Sequence, residues 1–373
     1  MFFPPSFLLF SVNASVLAFQ KRSKISAVDL AALSAIKDCL IDIPGSRFFS
    51  TWDFTAPDPC SSFTGVTCGF NDRVTILSLG TGLSDSPGLA GSLSPALSNL
   101  TQLTQLILFP GLVTSPIPPQ LGQLTSFRVI SLTNNRLTGP IPPSFSTLPF
   151  LHTLDLSSNR LTGSIPQGLM KLPSLKVMVL SWNELTGELP RTVSAQLLHL
   201  DLKKNKISGP LPRLPSTVRY LSVSENWMWG PLKALESLSK LVYLDMDPTF
   251  QSYGGQGSIV DLSHNFITGD ITPFLAGVET LFLNNNHFTG SVPEEYVKSV
   301  YDDTTKTLYL QHNYLSRFPL PQGSTLPNTV SLCLSYNCMV PPVEILACPA
   351  SAGSQPSRPQ LQCSVFTHRG STN

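Results

Sequence analysis

The residues best equipped for chemistry in this chain are few and scattered. Six histidines stand at His152, His199, His264, His287, His312 and His368. Only His199, with Asp201 two residues on, imitates a general base and its orienting carboxylate. Residues two apart on a strand project from the same face, so this pair would stand side by side in open solvent. No G-x-S-x-G elbow accompanies it. The glycine-rich run at 254–257, GGQG, lacks the Gly-Lys-Ser/Thr ending of a phosphate loop. Seven cysteines contain no C-x-x-C pair, which argues against zinc. The residues therefore point away from an enzyme and imply no cofactor and no metal.

The cysteines instead fit covalent cross-links. Cys60 and Cys68 lie near the N-terminus, and Cys333, Cys338, Cys348 and Cys363 cluster near the C-terminus, with none between. Bridges confined to the two ends suit an array whose middle is stable without them. Cys60–Cys68 and two bridges among the last four use six cysteines. Cys39, on a predicted helix, is left over, either as a free and buried thiol or, as the alternative, for an intermolecular role. Export agrees with this: the apolar stretch FFPPSFLLFSVNASVLA at 2–18 ends in small residues and reads as a signal peptide over 1–18. No later stretch is long and apolar enough for a transmembrane helix.

Composition narrows the rest. Acidic and basic residues number 23 and 24, a formal net charge of +1, which disfavours a nucleic-acid partner bound through phosphate neutralisation. The 33 prolines exclude long helices.

What remains is periodicity. FRVISLTNNRLTGPIP at 127–142, LHTLDLSSNRLTGSIP at 151–166 and LKVMVLSWNELTGELP at 175–190 share one pattern. Aligned asparagines recur at Asn135, Asn159, Asn183, Asn205, Asn226, Asn265, Asn286, Asn313 and Asn337, most of them 21 to 24 residues apart. Leu154 and Leu156 alternate with Thr153, Asp155 and Ser157, the signature of a short strand with one buried face. Copies of that strand one coil apart stack in parallel. The asparagine amide both donates and accepts, so it can satisfy backbone groups that an inward bend would orphan. Glycine, as in Gly163, permits a bend on the far side. The Ile-Pro that follows is expected to be extended there, on the convex side.

The pattern L-x-x-L-x-L-x-x-N-x-L-x-G-x-I-P resembles the plant-specific leucine-rich repeat. Before it, SAVDLAALSAIKDCLIDIPG at 26–45 predicts an amphipathic helix, with Ser26 and Asp29 as a capping-box-like pair and Pro44-Gly45 ending it. Trp52-Asp53 and DPCSSFTGVTC at 58–68 are similar to the N-terminal cap of plant extracellular leucine-rich repeat proteins. SLCLSYNCMVPP at 331–342, with Cys348 and Cys363, looks like the C-terminal cap of receptor-like proteins. Kinase motifs are absent. The resemblance implies that Trp52 and the Cys60–Cys68 bridge cover the first repeat. The expected fold is an α/β repeat: a right-handed leucine-rich-repeat solenoid. It would carry a short parallel β-sheet on the concave face, an irregular or 3-10 convex side, and about twelve repeats. The expected organisation is a signal peptide at 1–18, a cysteine-containing cap at 26–73, repeats at 74–340, and a C-terminal cysteine cap and flexible tail at 341–373.

One place breaks the pattern. LVYLDM begins a repeat near Leu244, but PTFQSYGGQG replaces its turn, and the next strand arrives at Val260, 16 residues later. A full coil needs about 20 or more residues. The coil is expected to be pinched here, with an irregular stretch at 247–257 and a register fault in the sheet, unless a segment has been lost from the gene.

Solenoids bind through outward strand positions. Those with aromatic and charged character are Trp182, His199, Asp201, Lys203, Tyr220, Tyr243, Asp245, Phe282 and Tyr309, densest between Trp182 and Asp245. For Asp155, Asp201 and Asp261, which recur in L-D-L, a structural role competes. Trp227 and Trp229, beyond the ladder position, read as packing residues. Asn99-Leu100-Thr101 is an N-glycosylation sequon on the outer side of a repeat. The implied protein is secreted to the apoplast or cell wall, with peripheral or anchored attachment at the plasma membrane as the alternative. It would recognise a protein, peptide or cell-wall glycan, with a receptor-kinase co-receptor as a further candidate. The competing reading is an inhibitor of secreted wall-degrading hydrolases.

Overall fold

A computed structural model of the chain describes residues 25–80, 88–233, 235, 259–321, 324–339, 348 and 356–367. The signal segment 1–18, Tyr243, Asp245 and the stretch 247–257 lie outside the described residues. One large sheet runs the length of the molecule. Its first strand, Val66–Cys68, is antiparallel to Val74–Leu79. From Val74–Leu79 onward, eleven strands are parallel among the described residues, ending at Ser331–Cys333. Each three-residue strand buries its middle residue. Leu154, Leu200, Val260, Leu281 and Leu308 are all 0% exposed, while their flanking neighbours face outward.

The degenerate repeat at 241–262 does not add a strand of its own to this sequence of pairings. Tyr220–Ser222 pairs directly with Ile259–Asp261, with Tyr220 opposite Ile259 and Ser222 opposite Asp261. The expected register fault is absent: the pairing passes on to Thr280–Phe282 in the same register. Eleven parallel strands therefore stand in place of about twelve. The sheet thus continues from Tyr220–Ser222 to Ile259–Asp261 with no strand between them.

The asparagine ladder binds the coils together. Asn159 Nδ2 donates to the Leu132 carbonyl of the preceding coil at 2.9 Å and to Leu156 of its own at 3.1 Å. Its Oδ1 accepts the Leu137 amide of the preceding coil at 3.0 Å. The same exchange recurs at all nine positions, each side chain buried. Across a sequence separation of 37 residues, Asn265 still accepts from Met228 N at 3.0 Å, and it donates to Val223 O at 3.0 Å. The residue before each asparagine takes a left-handed backbone conformation, with φ of 53° at Asn134, 58° at Trp182 and 57° at Tyr336. For bulky side chains that conformation costs on the order of 1 kcal/mol or more, a cost the ladder sustains at every coil.

Beyond the asparagine the chain does not stay irregular. It forms a second parallel sheet of Thr186–Glu188, Lys206–Gly209, Trp227–Gly230, Phe266–Asp270 and His287–Thr289 on the flank. Gly163, at φ 74°, supplies the bend foreseen for it. The convex side then carries short 3-10 helices, four of which start on proline among the described residues: Pro95–Asn99, Pro119–Gln123, Pro143–Thr147 and Pro273–Leu275. Proline at a helix start loses no hydrogen bond. The long interval from Asn286 to Asn313 is filled by an α-helix, Glu294–Tyr301, anchored by buried Tyr296, whose hydroxyl donates to the Thr272 carbonyl at 2.8 Å.

The N-terminal cap differs in part from expectation. The helix is Ala27–Lys37, shorter than foreseen, and Leu40–Asp42 is a strand antiparallel to Leu89–Gly91. Ser26 makes no side-chain cap. Asp29 is taken by a stronger partner instead. Fully buried, it accepts Arg73 Nε at 3.0 Å, Arg73 Nη2 at 2.9 Å and Val74 N at 2.8 Å, tying the helix to the first repeat strand. Cys39 follows the helix and is half-buried rather than buried, and free. Trp52 is buried as the resemblance implied, stacked on Phe63 at 5.1 Å, with Nε1 donating to the Thr64 carbonyl at 2.9 Å beside the Cys60–Cys68 bridge.

At the other end, Cys333 pairs with Cys348 and Cys338 with Cys363. The described part of the tail is ordered by more than its disulfide. Tyr336 N donates to Pro356 O at 2.6 Å and Arg358 N to Asn337 O at 2.7 Å. Arg358 Nε donates to Asn313 O at 2.8 Å, and its guanidinium lies 4.0 Å from the Tyr314 ring centre and 4.6 Å from that of Tyr336. A helix, Gln360–Thr367, follows. This corrects the expectation of a flexible tail, because planar stacking and backbone pairing hold the segment onto the last coils.

Two outcomes follow for stability. Asn265→Ala orphans the Met228 amide and leaves the Val223 carbonyl with Asn226 Nδ2 alone of its two amide donors, and is expected to cost about 1–3 kcal/mol in denaturant unfolding. Amide exchange should rise first around Met228. Arg73→Ala leaves the buried Asp29 carboxylate uncompensated and is expected to cost about 3–5 kcal/mol. A loss below 1 kcal/mol would show that the cap is not held by this pair.

Candidate functional site

Register brings the outward residues of successive strands into rows. In one row Val177, His199, Tyr220 and Ile259 are consecutive Cα partners. In the next row Asp201, Ser222, Asp261, Phe282 and Tyr309 follow one another. Of the nine predicted ligand-facing residues, seven lie among the described ones, and six of these fall on this strip or directly beside it. Trp182 sits at the corner where the strand turns, 50% exposed, with the Lys204 ammonium 3.6 Å from its ring centre.

The centre is a stacked pair. The rings of His199 and Tyr220 lie 4.0 Å apart at 6°. Partial burial pushes the His199 imidazole down to about 4, so it is neutral near pH 7. Burial, then the Asp201 and Asp261 carboxylates, push the Tyr220 phenol up to about 12. A neutral imidazole stacks on the neutral phenol without a desolvated charge between them. Asp201 is raised, first by burial and also by the neighbouring Asp261.

The aspartates of L-D-L are turn-forming as well as outward-facing. Asp201 Oδ1 accepts Lys203 N at 3.0 Å, Asp155 accepts Ser157 N at 3.0 Å, and Asp261 accepts Ser263 N at 3.0 Å. Asp261 Oδ2 lies 3.9 Å from Lys203 Nζ, which is also 3.6 Å from Glu225. Further along, Phe282 and Tyr309 meet edge to face at 5.2 Å, and Ser331 Oγ contacts the Tyr309 hydroxyl at 3.2 Å. Among the described residues no three His, Cys, Asp or Glu side chains converge as metal ligands.

Sequence reasoning missed Glu225 and the proximity of Asp261 to Tyr220. The second depends on the direct pairing of Tyr220–Ser222 with Ile259–Asp261, for which the 16-residue spacing was the available signal. It also misplaced Trp227 and Trp229. Both are exposed, at 54% and 53%, while Met228 between them is 1% exposed. Alternation on the flanking sheet turns the methionine inward and both indoles out, with Trp229 opposite the exposed Phe266. Asn99 is exposed at the end of the 3-10 helix Pro95–Asn99, on the outer side as expected.

The leucine-rich repeat N-terminal domain family matches residues 26–69, and the leucine-rich repeat family matches residues 125–185. The chain is a leucine-rich repeat protein. Its fold is that of plant receptor ectodomains. The structure of the Arabidopsis receptor kinase HAESA, in complex with the peptide hormone IDA and the co-receptor SERK1, is 25% identical. That match covers 84% of this chain and 50% of that one, with a TM-score of 0.65. The structure of PEPR1-AtPEP1 is 24% identical over 83% of this chain and 42% of that one, TM-score 0.66. A plant ice-binding protein is 25% identical over 79% of this chain and 88% of that one, TM-score 0.61. This leucine-rich repeat chain thus spans half or less of those two receptor chains. No curated protein sequence matches it. No helix among the described residues is long and apolar enough to cross a membrane.

The depressed His199 predicts a pH effect of definite sign. Below about pH 6.5 the unfolded chain protonates this ring and the folded chain does not. Folded-state stability from this group is therefore lost progressively between about pH 6.5 and 4, by ~2 kcal/mol after allowance for partial solvent exposure. The difference between wild type and His199→Gln in denaturant unfolding isolates it, and ring NMR should show titration near 4. A midpoint above 6 would mean that the stack is open to water.

Proposed function

We propose that this protein is an extracellular recognition module that binds a peptide segment, free or displayed by a partner ectodomain, along the concave strip. The observation that carries the reading is the His199–Tyr220 stack, an aromatic ledge flanked by carboxylates and Lys203. Aromatic anchors beside charged groups are the composition of interaction hot spots. Similarity to a receptor kinase solved with a peptide hormone and a co-receptor supports the same class of partner. Three disulfides support an oxidising, extracellular setting. In this reading residues 1–18 are removed on export, Asn99 carries a glycan, and the protein works in the apoplast or cell wall.

Selection of a displayed twelve-residue peptide library on the purified protein tests the proposal. Selected peptides are expected to lose at least tenfold in affinity on Tyr220→Ala, and less on Trp182→Ala at the corner. Binding unchanged in both variants would sink the assigned surface.

A further inference from the structure

The centre of the strip holds an internal cation that a ligand can replace. The strand carrying Lys203 neighbours Tyr220–Ser222, which in turn neighbours Ile259–Asp261. Strands in a sheet lie about 4.8 Å apart, so a Lys203 ammonium 3.9 Å from Asp261 Oδ2 has crossed the intervening strand. By register Ser224 occupies the matching position between Lys203 and Ser263. Ser224 is 0% exposed and its hydroxyl has no hydrogen-bond partner. Neither carboxylate holds the ammonium at hydrogen-bond distance, since the contacts are 3.6 and 3.9 Å, and Lys203 remains 36% exposed. Surface pairs of this kind contribute little. Asp201, Asp261 and Glu225 outnumber the single ammonium among them, and the Tyr220 ring stands alongside.

From this geometry we infer that Lys203 is a displaceable plug, and that the site takes a cationic side chain, arginine or lysine, of a bound peptide. The ligand's cation occupies the place of the Lys203 ammonium between Asp261 and Glu225. Its aliphatic stem lies on the Tyr220 ring, and the unpaired Ser224 hydroxyl gains a partner or water once Lys203 swings away. A planar guanidinium can engage both carboxylates at once, which a single ammonium at these distances does not. The inference rests on the concave-face reading and specifies its ligand.

The test uses blocked hexapeptides of alanine and glycine with one central arginine, citrulline or glutamate, titrated into the full chain and followed by NMR. The arginine peptide is expected to bind at least threefold more tightly than the citrulline peptide, with the preference shrinking as salt is raised. Removing the plug with Lys203→Met should increase arginine affinity at least a further threefold, the opposite of what an attractive or merely structural lysine would give. Asp261→Asn keeps an oxygen for the Ser263 amide and should abolish the preference. Equal or absent binding of arginine and citrulline peptides in both wild type and Lys203→Met overturns the inference, as does weaker arginine binding in Lys203→Met. Tyr220-dependent binding of library peptides without any cation preference would leave the concave-face reading standing and this inference refuted. Loss of Tyr220 dependence would refute the surface itself.

Discussion

Each coil of this protein must turn its backbone inward at the end of a three-residue strand, and the turn carries amides and carbonyls into a leucine core. An unpaired buried backbone group costs on the order of 1–3 kcal/mol, and the turn repeats along the whole chain. The asparagine side chain resolves this by joining the preceding coil's amide and carbonyl to its own turn. Everything else depends on that joint. It fixes the pitch between strands, and with it the distance between neighbouring outward side chains. It also holds the preceding residue in a left-handed conformation, which is why Trp182 projects at the corner rather than lying in the strand row.

The ladder explains how the chain absorbs its largest irregularity. Asn265 makes the same contacts to Val223 and Met228 that other asparagines make across about 22 residues, although it lies 37 residues beyond Met228. Strand pairing and asparagine exchange are decided at the two ends of a coil and are insensitive to the length between them. The helix Glu294–Tyr301 is a smaller instance, packed into a longer coil without disturbing the sheet. The site at Tyr220 and Asp261 exists because of this tolerance.

Fold and caps were largely legible because leucine, asparagine and glycine at fixed offsets encode burial, turn satisfaction and bend directly. His199, Asp201, Lys203, Phe282 and Tyr309 could be placed on the concave strip from the same offsets. What could not be read depended on competition between partners. Ser26 and Asp29 fit a capping box, but Arg73, 44 residues on, claims the carboxylate with two donors. In the sequence Trp227 and Trp229 follow the asparagine where a packed turn is expected, and only the existence of a flanking sheet, with its two-residue alternation, turns them outward. Ser222 and Asp261 become neighbours through a pairing that skips an apparent repeat, which local pattern cannot reveal.

The C-terminal segment has a consequence for how the molecule behaves in company. In the interior of the array, the left-handed residue of each coil donates its amide to a carbonyl of the next coil, as Trp182 does to Lys203. At the last described coil Pro356 supplies that carbonyl, to Tyr336. A residue twenty positions further along the chain thus stands where the carbonyl of another turn would stand. The end of a parallel array presents unpaired backbone groups to whatever it meets, and here the chain answers one of them itself.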